Sequence, residues 1–226
     1  MQTTRVKELD ALRGLAALMV MWYHFTAFRP QAALGFTYGL TGVDLFFVLS
    51  GFLIAGQLFA TINRGRNISV KEFYLKRFFR IIPAYAVVLA LYFLVPVFKE
   101  WEALPPLWKF LTFTQNIGLD RKQFGTFSHA WSLCIEEQFY LVLPIIIATA
   151  FYFKVGKKLI WLLPILFIAG FAIRLYSWHQ IITPLTGTDN YYNTWMTWMY
   201  YPTFTRLDGL LAGITVAAIF EFLPNK

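Results

Sequence analysis

Charge and cysteine are both scarce in this sequence. Cys134 is the one cysteine among 226 residues, which excludes an intrachain disulfide and leaves no cysteine cluster for a structural metal. Lys, Arg, Asp and Glu together make up 14% of the chain. A soluble domain draws about a quarter of its residues from these four to cover its surface. With 58% of the residues hydrophobic, that shortage makes lipid the expected solvent for much of the exterior. Histidine is also rare: His24, His129 and His179 stand far apart, without the close helical pairing of zinc ligands, so no metal site is expected. Repeats and low-complexity tracts are absent. Acids are outnumbered, 12 against 20 cations, for a net charge of +8. The cations fall in short patches between hydrophobic runs. A continuous basic face is missing, which argues against nucleic acid as a partner and leaves membrane lipid.

What the chain does have is apolar runs close to the ~20 residues that a ~30 Å hydrocarbon layer requires. They cover 12–28, 40–60, 81–98, 133–153, 159–178 and 204–222. The expected fold is all-α: a polytopic membrane helical bundle of about six transmembrane helices in one domain over 1–226. The first run has Arg5, Lys7 and Arg13 before and at its start, as a secretory signal would. Glu8 and Asp10 interrupt that basic stretch, and Trp22, Tyr23 and His24 lie in the run with no small-residue cleavage site after it, so a retained helix is expected.

Basic short loops stay cytoplasmic, and three patches alternate with the runs. The first is Arg5, Lys7 and Arg13; the second Arg64, Arg66, Lys71, Lys76, Arg77 and Arg80; the third Lys154, Lys157 and Lys158. Six spans put all three on one side, with both termini inside. The opposite side receives Trp101, Trp108, Trp195, Trp198, Tyr200 and Tyr201, which suit an interfacial belt, and irregular loops at Pro105-Pro106 and 183–193. Gly35-x-x-x-Gly39 and Gly209-x-x-x-Gly213 match a close-packing pattern of helices in lipid, but 14 glycines make chance matches expected, so neither argues for a dimer.

Ionisable groups inside apolar helices are costly and face a cavity or a partner. Arg13 and His24, eleven positions apart, return to nearly the same helical face about 16 Å apart along the axis. Arg13 is either part of a polar stripe or an interfacial anchor; His24 is either functional or a histidine bonded to a neighbouring helix. Asp44 either accepts from the Nδ1–H of His24, leaving Nε2 the better base, or is a carboxylate at a helix start. Glu136 and Glu137 project about 100° apart, so at least one faces protein or water. Ser132, Glu136 and Tyr140 form a ladder at four-residue spacing. Ser132 near His129 lacks the Gly-x-Ser-x-Gly elbow of a serine hydrolase. Arg206, with Asp208 at the start of the sixth run, either pairs with Glu136 or holds an anionic part of a substrate. Arg77 and Arg80 either grip donor phosphates or set topology and contact anionic lipid.

Five stretches carry a family resemblance. They are Leu9-Asp10-Ala11-Leu12-Arg13-Gly14 with His24, the run Gly42 to Phe52, Arg77-x-x-Arg80 followed by Pro83, Trp131-Ser132-Leu133 through Glu136 to Tyr140, and Arg206-Leu207-Asp208-Gly209. In this order they resemble acyltransferase family 3, membrane enzymes that acylate bacterial cell-surface carbohydrates. The resemblance implies that Arg13 and His24 are the paired catalytic positions, with Glu136 the motif glutamate; Asp44 or Glu136 is expected to orient His24 or stabilise its charged form. It further implies that Arg77 and Arg80 contact the acyl-CoA donor. Trp131, Ser132, Arg206 and Asp208 are expected at the acceptor. Members of that family are usually longer, so this chain would carry the N-terminal portion and lack C-terminal helices.

The implied reaction moves a short acyl group, acetyl in the first instance, from acyl-CoA to a hydroxyl of a cell-surface or exported carbohydrate at a bacterial inner membrane. Imidazole serves either as base for the alcohol or as transient acyl carrier. Two other classes stay open: a carrier or flippase for lipid- or sugar-linked intermediates, and a noncatalytic membrane subunit. Expected partners are membrane lipid and the carbohydrate acceptor, with a homo-oligomer or a C-terminal complementing subunit as further options.

Overall fold

Each long apolar run becomes a helix because no water reaches the hydrocarbon to satisfy its peptide groups, which must then bond within the segment. The computed structural model describes residues 7–28, 37–99 and 103–223, and every regular element among them is helical. The long helices are α1 (Lys7–Phe28), α2 (Thr41–Asn63), α3 (Val70–Leu94), α4 (Trp131–Tyr152), α5 (Leu162–Ser177) and α6 (Asp208–Phe222). Four segments are long and apolar enough to cross a membrane: Tyr38–Asn63, Val70–Leu94, Ser128–Tyr152 and Lys158–Leu185. These overlap four of the six expected spans. Of the other two, α1 carries Arg13 and His24 inside its apolar run, and α6 has 15 residues, about 22 Å of helix. Arg5, Gly35 and Trp101 lie outside the described residues.

The third run begins earlier than hydropathy alone implies. Ser69 caps α3, its Oγ accepting from the Glu72 amide at 3.3 Å, so the helix starts eleven residues before the apolar stretch. Lys71, Lys76, Arg77 and Arg80 therefore ride on a helix and not in a loop. Pro83 sits inside α3.

Two compact units make up the chain. One comprises 1–59 with 209–226, the other 60–208. In the first, α2 and α6 touch backbone to backbone. A Cβ on Gly213 would lie 2.1 Å from the Val48 carbonyl oxygen, and one on Gly51 would lie 2.2 Å from that of Leu210. Gly209-x-x-x-Gly213 is thus used for packing within the chain. Gly213→Ala should lower the melting temperature in detergent, by an overpacking cost of about 1–3 kcal/mol. Gly56→Ala, on the same α2 but with nothing within 4 Å of the added carbon, should not. Equal melting of the two variants would contradict the contact.

In the second unit, the segments between helices are built and buried. Phe110, Phe127 and Ala130 join Tyr85 and Leu89 of α3 in one core cluster, with Tyr92, Phe93 and Phe113 packed against it. The Tyr85 hydroxyl donates to the Phe110 carbonyl at 3.2 Å. The expected irregular loop at 183–193 contains a 3-10 turn at Thr183–Leu185 and leads into a short helix at Tyr191–Trp195. Tyr200 and Tyr201 are buried at 7% and 2% exposure, so they pack inside the unit where a belt was expected; Trp108 and Trp198 are exposed.

Candidate functional site

Arg13, Ala16, Val20 and His24 follow one another at intervals of three and four residues, the repeat of a single helical face. Ala16 is fully buried and the other three are half-buried, while Leu15, Leu18, Trp22 and Phe25 on other faces are exposed. The start of α2 closes on this stripe. A Cβ on Gly42 would stand 2.7 Å from the Ala16 carbonyl oxygen and 2.9 Å from a Val20 methyl. Asp44, two residues on, is half-buried.

The Nδ1 of His24 lies 2.8 Å from the Val20 carbonyl oxygen. A carbonyl can only accept, so Nδ1 carries the hydrogen and, in the neutral ring, Nε2 carries the lone pair. The tautomer expected from Asp44 is in fact set within α1: the backbone carbonyl occupies Nδ1, and Asp44 is not its acceptor. Tyr23 meets the imidazole edge-on at 5.5 Å between centroids.

The second unit holds the remaining motif residues. Glu136 accepts from the Tyr140 hydroxyl at 2.9 Å, one helical turn along α4. The guanidinium of Arg77 stands 4.2 Å from the centroid of the same Tyr140 ring and 5.8 Å from that of Phe73. Arg77, Tyr140 and Glu136 therefore form one relay from α3 to α4, next to the bond from the Tyr74 hydroxyl to the Leu141 carbonyl. Arg80, one turn further on α3, is exposed. Glu137 buries an oxygen that accepts no hydrogen bond among the described residues.

Arg206 sits over two rings, 5.5 Å from Trp131 and 5.1 Å from Tyr200. Trp131 is buried against Tyr200 at 4.6 Å between centroids, and Ser132 beside it is half-buried. Asp208 is ion-paired with Arg174 of α5 at 2.7 Å, and the same guanidinium nitrogen donates to the Thr205 carbonyl at 3.3 Å. Arg174 thus clasps both ends of the turn that presents Arg206. Its presence inside an apolar run was the available signal for it.

A double-mutant cycle on Arg174 and Asp208 should give a coupling of about 1–3 kcal/mol. That lies between an exposed and a buried pair, as side-chain exposures of 26% and 37% require. Additive melting-temperature losses in the two single variants would show that the pair does not couple.

Asn116, Gln138 and Thr203 close a ring that no spacing in the sequence suggests. Gln138 Nε2 donates to Asn116 Oδ1 at 3.1 Å, Asn116 Nδ2 donates to Thr203 Oγ1 at 2.9 Å, and Thr203 Oγ1 donates to Gln138 Oε1 at 2.6 Å. Asn116 also donates to the Tyr201 carbonyl at 3.0 Å, and Gln138 to that of Phe113 at 2.6 Å. The ring ties the 112–120 and 201–205 segments to α4.

A family model described as an acyltransferase domain matches residues 6–223. The peptidoglycan O-acetyltransferase OatA of Listeria monocytogenes is 30% identical over 234 residues, an alignment covering 96% of this chain and 34% of that protein. The O-acetyltransferase OatA of Staphylococcus aureus is 30% identical over 227 residues, covering 94% of this chain and 34% of that protein. The chain spans about a third of the length of these curated relatives. No solved structure matches.

Proposed function

The chain belongs to the acyltransferase domain family, and from that membership we propose that it carries the acyl-transfer site of an O-acetyltransferase acting on a cell-wall carbohydrate at a bacterial inner membrane. The observation that carries this reading is the His24 contact. With Nδ1 held by the Val20 carbonyl, Nε2 is left to take a proton.

An alcohol is a weak nucleophile until its proton is removed as it attacks. In the proposed step the acceptor hydroxyl oxygen forms a bond to the thioester carbonyl carbon of acetyl-CoA, while His24 Nε2 takes the hydroxyl proton. The tetrahedral intermediate then expels the thiolate, breaking the carbon–sulfur bond, and the imidazolium returns a proton to that sulfur. Arg13, further along the same stripe, is the second catalytic position, and Asp44 stabilises the imidazolium. Arg80 and Arg77 serve the donor, Arg80 from an exposed position and Arg77 from its seat on Tyr140. Glu136 holds that seat through the Tyr140 hydroxyl. Trp131, Ser132 and Arg206 are assigned to acceptor binding; Asp208 serves it indirectly, by holding the Arg206 turn through Arg174.

The test is transfer of radiolabel. Membranes containing the protein are incubated with acetyl-labelled acetyl-CoA and isolated cell-wall glycan. Ester-linked label on the glycan, released by mild base, is the expected result. Label that stays in the soluble thioester, at a level equal to membranes without the protein, would end this reading.

A further inference from the structure

The α2 and α4 exits face one another across a cavity of about 590 Å³ that the acyl-transfer site does not use. Its walls come from Arg66 and Asn67 on one side and from Thr149, Phe151, Tyr152 and Phe153 on the other, with Ile62 and Ile68 among the apolar lining. The volume falls within the about 300–1,000 Å³ of small-molecule sites.

Two turns shape it. Gly65, at φ +67°, reverses the chain after α2, with the Gly65 amide bonded to the Ile62 carbonyl at 2.8 Å and the Arg66 amide to that of Thr61 at 3.1 Å. Lys154, at φ 57°, does the same after α4, where the Val155 amide bonds to the Ala150 carbonyl at 2.8 Å. Because both exits line one cavity, the cations at 64–71 and 154–158 lie at the same end of this unit.

The chemistry of the lining selects an amphiphile with a negative head. It offers a guanidinium, a carboxamide and the hydroxyls of Thr149 and Tyr152, and it includes no carboxylate. The 25-residue helix α3 begins at Val70, two residues after Ile68, and points its positive end toward this side. The other half of the wall is aromatic and uncovered: Phe151, Tyr152 and Phe153 are 37%, 80% and 66% exposed. Both exits terminate segments long and apolar enough to span a bilayer, so the cavity sits at the depth of lipid headgroups. A soluble anion would meet the positive charge of Arg66 and leave three rings bare, whereas a phospholipid covers both.

We propose that this cavity binds an anionic phospholipid, its phosphate at Arg66 and Asn67 and its upper acyl carbons against Phe151 and Phe153. The site is independent of acyl transfer and stands or falls without it.

Purified protein in detergent is mixed with micelles doped with phosphatidylglycerol or phosphatidylcholine of identical acyl chains, and retained lipid is counted by native mass spectrometry. Wild type should retain phosphatidylglycerol about tenfold over phosphatidylcholine. Arg66→Gln should abolish that preference at an unchanged melting temperature. Arg64→Gln, one turn residue away but outside the lining, should preserve it. Equal retention of the two lipids by wild type would overturn the proposal, as would equal loss in the Arg64 and Arg66 variants, which is general charge attraction. Full displacement of phosphatidylglycerol by millimolar inorganic phosphate would overturn it too, reassigning the site to a free anion.

Discussion

His24→Ala should lower acetyl transfer to glycan by about 10²–10⁴-fold, the usual contribution of a positioned general base, while the amount of protein in the membrane stays constant. The expectation follows from where the ring is held. Nδ1 is engaged by the Val20 carbonyl one turn earlier, so the imidazole is oriented by its own helix. Its removal costs α1 little, because the Val20 carbonyl is already the acceptor for a helical amide. His24→Gln is the sharper variant, since it keeps a side-chain donor for Val20 and has no basic nitrogen. If Gln preserves transfer, His24 is structural and the acid–base assignment fails.

Much of this site was legible because polar residues in an apolar run are expensive. Arg13 and His24 announce a common face by their spacing, and the structure adds that Ala16 and Val20 complete it and that Gly42 of α2 closes on it. The four strongest runs became helices for the same reason. What hydropathy hides is where a helix starts. The third run was placed at 81–98, yet Ser69-x-x-Glu72 is a capping pair that starts the helix at Val70 and carries Arg77 up to Tyr140. Arg174 is readable by the rule that singles out Glu136, and the structure pairs it with Asp208. Tyr200 and Tyr201 were misplaced because an aromatic suits a membrane interface and a buried cluster equally well.

The Asn116–Gln138–Thr203 ring is where the sequence was silent and the stability effect should be largest. Its members come from three distant segments, and amides in loops carry no periodicity. Gln138→Leu removes one side chain and three bonds at once: the Phe113 carbonyl and Asn116 Oδ1 lose their donor, and the Thr203 hydroxyl loses its acceptor while still receiving from Asn116 Nδ2. At about 1–3 kcal/mol for each group left unsatisfied, discounted because Phe113, Gln138 and Thr203 are half-buried and the losses overlap, the variant should lose about 2–4 kcal/mol. That is a large share of the about 5–15 kcal/mol that keeps a typical domain folded. Phe113 is held at φ 53°, a left-handed conformation that persists only while its surroundings hold it, so its release should accompany the loss. Gln138→Glu gives the sign of the effect. An ionised carboxylate at this position faces two acceptor oxygens and can receive only from Thr203, whereas a protonated one can donate to one of them. Melting temperature in this variant should therefore rise as pH falls, opposite to any general acid destabilisation of the wild type. Activity should fall further than stability predicts, because Thr203 lies three residues before Arg206 and fixes the near end of the turn that Arg174 clasps. A Gln138→Leu protein that melts like wild type and transfers acetyl at full rate would mean that the ring holds neither the loops nor the site.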